Sequence, residues 1–180
     1  MELHTSRLHL REISWDHLED FFYLHSQPEI DRFNTLGIPA NRGITREVLR
    51  PAIAAQQLAP RTYYALAIHL QESGAFMGEI GMRLKVARYQ AGEIYYNILP
   101  ECWGKGYATE AAHKLLEFGF QQLRLHRISA GVAVQNLASQ KVLEKLGMKK
   151  EGHHRKILPI RGEWVDNYSY AMLEEDFFIP

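Results

Sequence analysis

A single cysteine, Cys102, leaves this 180-residue chain without any internal disulfide. That usage fits a reducing compartment, and a lone thiol with no legible base beside it reads as a bystander. Excess charge of either sign is also missing: 21 Lys and Arg face 21 Asp and Glu. No global basic field exists to gather nucleic acid or anionic lipid. No apolar run approaches the ~20 residues that span a bilayer. The stretch Met1–Thr5 lacks the charged-then-apolar pattern of a signal peptide, so the expected location is cytoplasmic. Nine histidines are present, but none falls at a spacing such as His-x-x-x-His, and no metal site is expected. Repeats, low-complexity tracts and linkers are absent. With 46% hydrophobic and 23% charged residues, the chain reads as one globular domain over 1–180 that can bury a core.

What is present is a change of period along the chain. Leu3–Ile13 alternates and predicts a strand. Ser14 then caps a helix carrying Leu18, Phe21, Phe22 and His25, which Pro28 ends. Pro28–Ala40 reads as a loop, and Thr45–Leu58 as a helix that Pro51 should kink or restart. Three strands follow with short turns: Thr62–Leu70, Ala75–Ala87 (interrupted by Gly78 and Gly81) and a run ending at Leu99. Such short connections make an antiparallel meander. Tyr107–Leu123 has a period of 3.6, and Arg127–Val134 is a short β-branched strand. Asn136 caps a second helix that Gly147 terminates. Strands near Met148–Leu158 and Val165–Leu173 close the chain around the turn Arg161–Glu163. Strand, helix, strand from Ile94 to Val134 implies one parallel, right-handed crossover within an otherwise antiparallel sheet. The fold class is therefore α+β.

The most informative stretch is Trp103-Gly104-Lys105-Gly106-Tyr107-Ala108, between a strand and a helix. A small-residue turn that opens a helix offers free N–H groups and the positive end of the helix dipole, a site for a phosphate-bearing ligand. A P-loop is excluded because its spacing and its hydroxyl are missing. A dinucleotide fingerprint is excluded because Thr109 stands at its third glycine. A helix start that merely tolerates glycine stays open.

The run Pro100–Ala111 resembles the acetyl-CoA loop of the GNAT superfamily of N-acetyltransferases. His126–Ile128, Asn136–Ser139, Val142–Met148, Glu151-Gly152, Thr5–Arg11 and Gly162–Asp166 resemble its RimJ/RimL-like branch, the ribosomal-protein N-terminal acetyltransferase type. The resemblance covers nearly the whole chain in order. It implies a GNAT fold, with a central, mostly antiparallel sheet of six to seven strands, one splayed parallel pair and about four flanking helices. It further implies acetyl-CoA as co-substrate, with the pyrophosphate on the backbone of Gly104, Lys105, Gly106, Tyr107 and Ala108, beside Trp103 and Thr109. The pantetheine arm is expected between the splayed strands along Ile98 and Leu99, with the Ile98 N–H as oxyanion donor. Asn136 is expected to reach the pantetheine as well as cap its helix.

Ser139 matches the position near the coenzyme A sulfur, where it protonates or orients the departing thiolate. Many relatives place a Tyr four residues later. Here that position is Leu143, which shifts the role toward Ser139 or water. Glu79 and Glu93, on strands bordering the cleft, are the candidate general bases, with a water relay as the alternative. The acceptor is an amine: a peptide N-terminus, or a small molecule such as a polyamine, amino acid or antibiotic. The acceptor side should come from Pro28–Arg61 and Arg155–Trp164. A non-catalytic acyl-CoA sensor would keep the glycine turn without turnover. A homodimer is compatible with the resemblance, although the sequence carries no interface signal.

Overall fold

In the computed structural model, which describes residues 1–178, eight strands form one sheet in the order β1-β2-β3-β4-β5-β6-β8-β7. The sequence expectation of six to seven strands becomes eight because Leu3–Ile13 is not one strand. It folds back on itself as β1 (Glu2–His4) and β2 (Leu8–Glu12), paired antiparallel through Leu3 and Leu10. The bend at Thr5–Arg7 is closed by Thr5, whose N–H donates to Leu8 O at 2.9 Å and whose hydroxyl accepts the Leu8 N–H at 2.8 Å, and is anchored by Glu110 from α4, neither of which alternation reveals. β3 (Tyr63–Leu70), β4 (Phe76–Leu84) and β5 (Ala91–Ile98) form the expected meander. β6 (Arg127–Ala133) pairs parallel with β5, the sheet's single parallel junction. β7 (Lys149–Ile160) and β8 (Glu163–Leu173) make a long closing hairpin.

Four helices of eight or more residues flank the sheet: α1 (Leu18–His25), α3 (Arg42–Ala55), α4 (Tyr107–Glu117) and α5 (Leu137–Lys145). Two four-residue helices, α2 (Pro28–Asp31) and α6 (Glu174–Phe177), complete the set, so the stretch read as a loop from Pro28 begins with a helical turn. α3 starts earlier than expected because the Asn41 side chain accepts the Ile44 N–H. It also runs through Pro51 as one element. Pro51 is exposed, so the carbonyl that its missing N–H would have met lies on the solvent side. The apolar stripe of α4 continues past Glu117 as a π-helical turn over Phe118–Gln122, which buries Phe118 and Phe120.

The two sheet faces differ, and this difference positions the site. Leu66, Ile68, Ile80, Met82, Ile94 and Ile98 join Ala111, Ala112, Leu115 and Leu143 in the main core beneath α4 and α5. On the other face a smaller core of Ala65 and Ala67 meets Phe21 of α1 and Leu49 and Ala52 of α3. Small residues on that side of β3 let the helices sit close while polar groups enter between them.

Buried histidines beside this smaller core make stability sensitive to acid. His69 Nε2 lies 3.2 Å from Arg11 Nη2 and must be the acceptor, since a guanidinium only donates. Burial and then the Arg11 charge push its pKa down to about 4, and burial also lowers that of His17. Between pH 6.5 and about 4 the unfolded chain therefore binds protons that the folded one refuses, and stability falls as pH falls through that window. Urea midpoints measured from pH 7 to 4 should drop, and His69→Gln should flatten part of that drop. An unchanged slope would refute the assignment.

Candidate active site

The chain leaves β5 through the turn Pro100–Cys102 and reaches Gly104 (φ +74°) and Gly106 (φ +81°). Both lie in the left-handed region that glycine enters without strain. A Cβ built on Gly104 would meet nothing within 4 Å, so backbone conformation rather than crowding asks for glycine, and the turn is open on its outer side. The first N–H returned to the helix is that of Glu110, which donates to Gly106 O at 3.0 Å. The amides of Tyr107, Ala108 and Thr109 are thus the free donors of the α4 start, and the dipole adds positive potential there. Such an arrangement holds an anion. The exposed Lys105 stands in the same turn.

The turn is clamped from the N-terminus. Arg7 donates from Nη1 to Lys105 O at 3.0 Å and from Nε to Glu110 Oε2 at 2.7 Å, and stacks over the Tyr107 ring. The Arg7 backbone N–H and the Thr5 hydroxyl both donate to Glu110 Oε1. Burial alone would raise the Glu110 pKa, but the Thr5 and Arg7 hydrogen bonds outweigh it and hold the carboxyl below its ordinary range. This clamp explains why Thr5–Arg7 and Glu110 belong to one motif although about a hundred residues separate them.

Beside the turn, the parallel pair opens. β5 and β6 are in register only at Ala91↔Arg127, Gly92↔Ile128 and Glu93↔Ser129, and both strands continue beyond without pairing. Register also settles where their amides point. Lys85 N–H donates to Ala91 O and Leu99 N–H to Met77 O, so odd-numbered residues of β5 bond β4. Tyr96 and Ile98 therefore turn their amides into the gap. The Ile98 carbonyl is taken by the Trp103 indole, whose Nε1 donates to it at 2.6 Å. The Ile98 N–H has no backbone partner among the described residues. A small cavity lined by Arg83, Glu93, Ile94, Tyr95 and Gly131 marks the point where pairing stops.

On the α5 side of the gap, Asn136 Oδ1 accepts the Ser139 N–H at 3.1 Å, as a helix cap should. Ser139 Oγ lies 2.8 Å from the Tyr96 hydroxyl. Burial pushes the Tyr96 phenol up to about 12, so at neutral pH it keeps its proton and remains a donor. A tyrosine of β5 thus stands beside Ser139 where α5 carries Leu143. Leu143 itself is core.

The opposite face of the same strands carries a polar cluster. Glu79 is 6% exposed, and its Oε1 accepts from Asn97 Nδ2 at 2.8 Å. His25 Nε2, from the end of α1, lies 2.9 Å from that oxygen. Tyr63 and Tyr95 share a hydroxyl contact of 2.6 Å, and Arg83 stacks over both rings. Burial raises both phenol pKa values. Asp31 of α2, also buried, meets Arg161 of the β7–β8 turn at 3.4 Å, bringing together the two stretches expected to form the acceptor side. Glu93 is separate. It is exposed and faces Arg83, four residues along β5 from Asn97, a displacement of about 13 Å at strand rise. Of the two candidate bases, only Glu79 adjoins Ile98. Cys102 is buried against Met77, and burial raises its thiol pKa, which suits a packing residue.

Alternation and spacing give no role to Asn97, Tyr63, Tyr95 or Tyr96, and place His25 only on the apolar stripe of its helix. His25 is a polar residue on that stripe, and Asn97 interrupts an apolar strand. A polar residue at a core position is the one local signal that could have found them. Elsewhere, Glu2, His4 and His9 gather three ligand atoms within 4.8 Å. The two rings stack at 4.3 Å and 10°, however, so a metal bonded to both would lie out of each ring plane.

An antiparallel meander that runs into one splayed parallel pair, beside a glycine-opened helix and a buried carboxylate, defines an N-acetyltransferase. Residues 7–149 match the acetyltransferase (GNAT) domain, and the chain belongs to that family. It is 30% identical over 172 residues to the uncharacterized N-acetyltransferase YoaA of Bacillus subtilis, covering 96% of each. An acetyltransferase (GNAT family) from Bacillus anthracis superposes with a TM-score of 0.84 at 29% identity, over 97% of this chain and 99% of that one. Two more distant structures share the fold: spermidine N-acetyltransferase from Vibrio cholerae in complex with CoA and spermine (TM-score 0.84, 21% identity, 97% and 100% covered), and RimL, a ribosomal L7/L12 alpha-N-protein acetyltransferase, in complex with coenzyme A (0.86, 17%, 96% and 98%). Among the described residues, no helix is long and apolar enough to cross a membrane.

Proposed function

We propose that this chain transfers an acetyl group from acetyl-CoA directly to a primary amine, with a protein N-terminal α-amine as the acceptor. The observation that carries this reading is the adjacency of the open Gly104–Ala108 turn to the unpaired edge at Ile98. A diphosphate suits the turn because the space at Gly104 is open and the amides at the α4 start are free, with the Arg7 guanidinium beside Gly106. An amide-bearing arm fits the gap because it can pair with the free edges of β5 and β6. When bound, acetyl-CoA supplies a thioester-activated acetyl group.

This chain's residues do the rest. The Ile98 N–H stabilises negative charge on the thioester oxygen, an effect of about 3–4 kcal/mol for such donors. The amine nitrogen gives its proton to Glu79 and bonds the acetyl carbon. The C–S bond breaks, and the sulfur takes a proton from the Ser139 hydroxyl, which Tyr96 replaces and solvent in turn restores to Tyr96. Trp103, Lys105, Thr109, Leu99 and Asn136 border the donor path. Glu93 lies too far along the strand to share the proton with Glu79.

A small-molecule polyamine is the second reading. The buried carboxylates Asp31 and Glu79 on the acceptor side favour a cationic acceptor, and the Vibrio cholerae structure holds spermine on the same fold. One experiment addresses both. Calorimetry with coenzyme A should show saturable binding, and thiol release from acetyl-CoA should rise with a Ser-initiated peptide rather than with spermidine. Preference for spermidine overturns the N-terminal reading. Binding without turnover over a broad amine panel makes the chain a sensor, and no binding at millimolar coenzyme A removes the proposal altogether.

A further inference from the structure

Behind the proposed base stands a titratable group that the reaction does not itself use. His25 and Glu79 expose only 7% and 8% of their side chains. A carboxylate enclosed to that degree needs donors facing it. Asn97 from β5 faces it with a hydrogen bond to Oε1, and His25 Nε2 from α1 lies 2.9 Å from the same oxygen as a close charge contact, off the ring N–H direction and without a hydrogen bond. Oε2 has no partner among the described residues and is not among the fully enclosed unpartnered atoms, so it is the oxygen left to the cleft.

His25 is in turn set from behind. Asn34 Oδ1 accepts the Leu36 N–H at 2.9 Å, which turns the Asn34 amide nitrogen toward His25 Nδ1 at 3.3 Å. Nδ1 is then the acceptor nitrogen, and the single ring proton of neutral His25 sits on Nε2 against Glu79. We propose that His25 is a positioning residue for acetyl transfer: it holds Glu79 Oε1 so that Oε2 receives the amine proton, and it ties the base to the acceptor-side loop through Asn34.

The inference rests on Glu79 being the base. Its further content is that the loop of Asn34 and Leu36, the end of α1 and two central strands form one line of polar contacts, hydrogen-bonded at each end and joined in the middle by the 2.9 Å approach of His25 to Glu79. A shift of that loop when an acceptor arrives reaches the base without touching it. Burial alone lowers the His25 pKa, but the adjacent Glu79 carboxylate outweighs it and the net direction is upward, as a working contact between the two requires.

The test compares His25→Gln with His25→Asn. The Gln amide nitrogen can occupy the place of Nε2 and donate to Glu79; the shorter Asn cannot reach it. With acetyl-CoA and either a Ser-initiated peptide or spermidine, His25→Gln should keep kcat within about tenfold of the parent. His25→Asn should lose about 10²-fold, the cost of a misplaced catalytic group, with KM for acetyl-CoA unchanged. Equal rates for the two variants overturn the inference. A second measurement needs no acceptor: nitrogen NMR of histidine-labelled protein should show neutral His25 protonated at Nε2, and Glu79→Gln should lower its pKa. The Nδ1–H tautomer, or a pKa indifferent to Glu79→Gln, overturns it as well. Should Glu79→Gln itself leave the rate intact, the base assignment fails. Should Glu79→Gln lose rate while the two His25 variants match, only the His25 inference fails.

Discussion

Glu79→Gln should lower kcat by about 10²–10⁴-fold while leaving coenzyme A affinity unchanged. The substitution keeps volume, and its carbonyl oxygen can still accept from Asn97 and meet His25, so the buried cluster persists. What disappears is the capacity to take a proton from the incoming amine. Coenzyme A would lie along the gap and the glycine turn, on elements that the Glu79 side chain does not reach, since Glu79 faces α1 and the donor path faces α4 and α5. Initial rates of thiol release, paired with calorimetry on the same protein, separate the two effects. A variant with full rate moves the proton to water. A variant that also loses coenzyme A binding shows that the cluster supports the strands rather than the chemistry.

Gly78→Ala should be the most damaging single methyl in the sheet. Gly78 sits at φ +148° in β4, and a Cβ there would lie 2.1 Å from Asn97 O and 2.9 Å from Ile98 Cα. Both atoms are backbone and cannot rotate away, so β4 and β5 must separate. Strain at the dihedral costs roughly 1–3 kcal/mol, and overpacking adds about 1–3 kcal/mol. At ~2–4 °C per kcal/mol for a domain of this size, the melting temperature should fall by about 10 °C. Activity should fall further than stability explains, because the displaced backbone carries the Ile98 N–H and the Asn97 that holds Glu79. Gly74→Ala is the control. It too has positive φ (+71°), but nothing lies within 4 Å, so only the left-handed penalty of about 1–2 kcal/mol applies. Similar losses for the two variants would mean that the β4–β5 approach is looser than the geometry indicates.

The elements whose signals are local were legible beforehand. The meander from β3 to β5 follows from alternation and turn residues. The glycine turn follows from residue size, and the two long helices beside it follow from an apolar stripe and an Asn cap. The parallel junction was legible too, because strand, helix, strand admits few topologies. Where the reading failed, a distant partner decided. The bend at Thr5–Arg7, closed locally by Thr5 and Leu8, is fixed in place because Glu110 gathers its remaining donors. α3 passes through Pro51 because its lost hydrogen bond falls on the solvent side. Glu79 and Glu93 looked alike in sequence, both being strand glutamates, and differ only in what the neighbouring elements place around them.

Sequence by itself located the turn in the middle of this chain where a helix opens with free backbone amides, because that property needs only two small residues, a strand before them and a helix after. Tertiary structure alone decided which polar side chains meet around the gap. It set Tyr96 against Ser139, and His25 and Asn97 against Glu79. Those pairings join residues on different elements, and which side chains meet depends on strand register and helix docking, quantities set by the packing of the whole core.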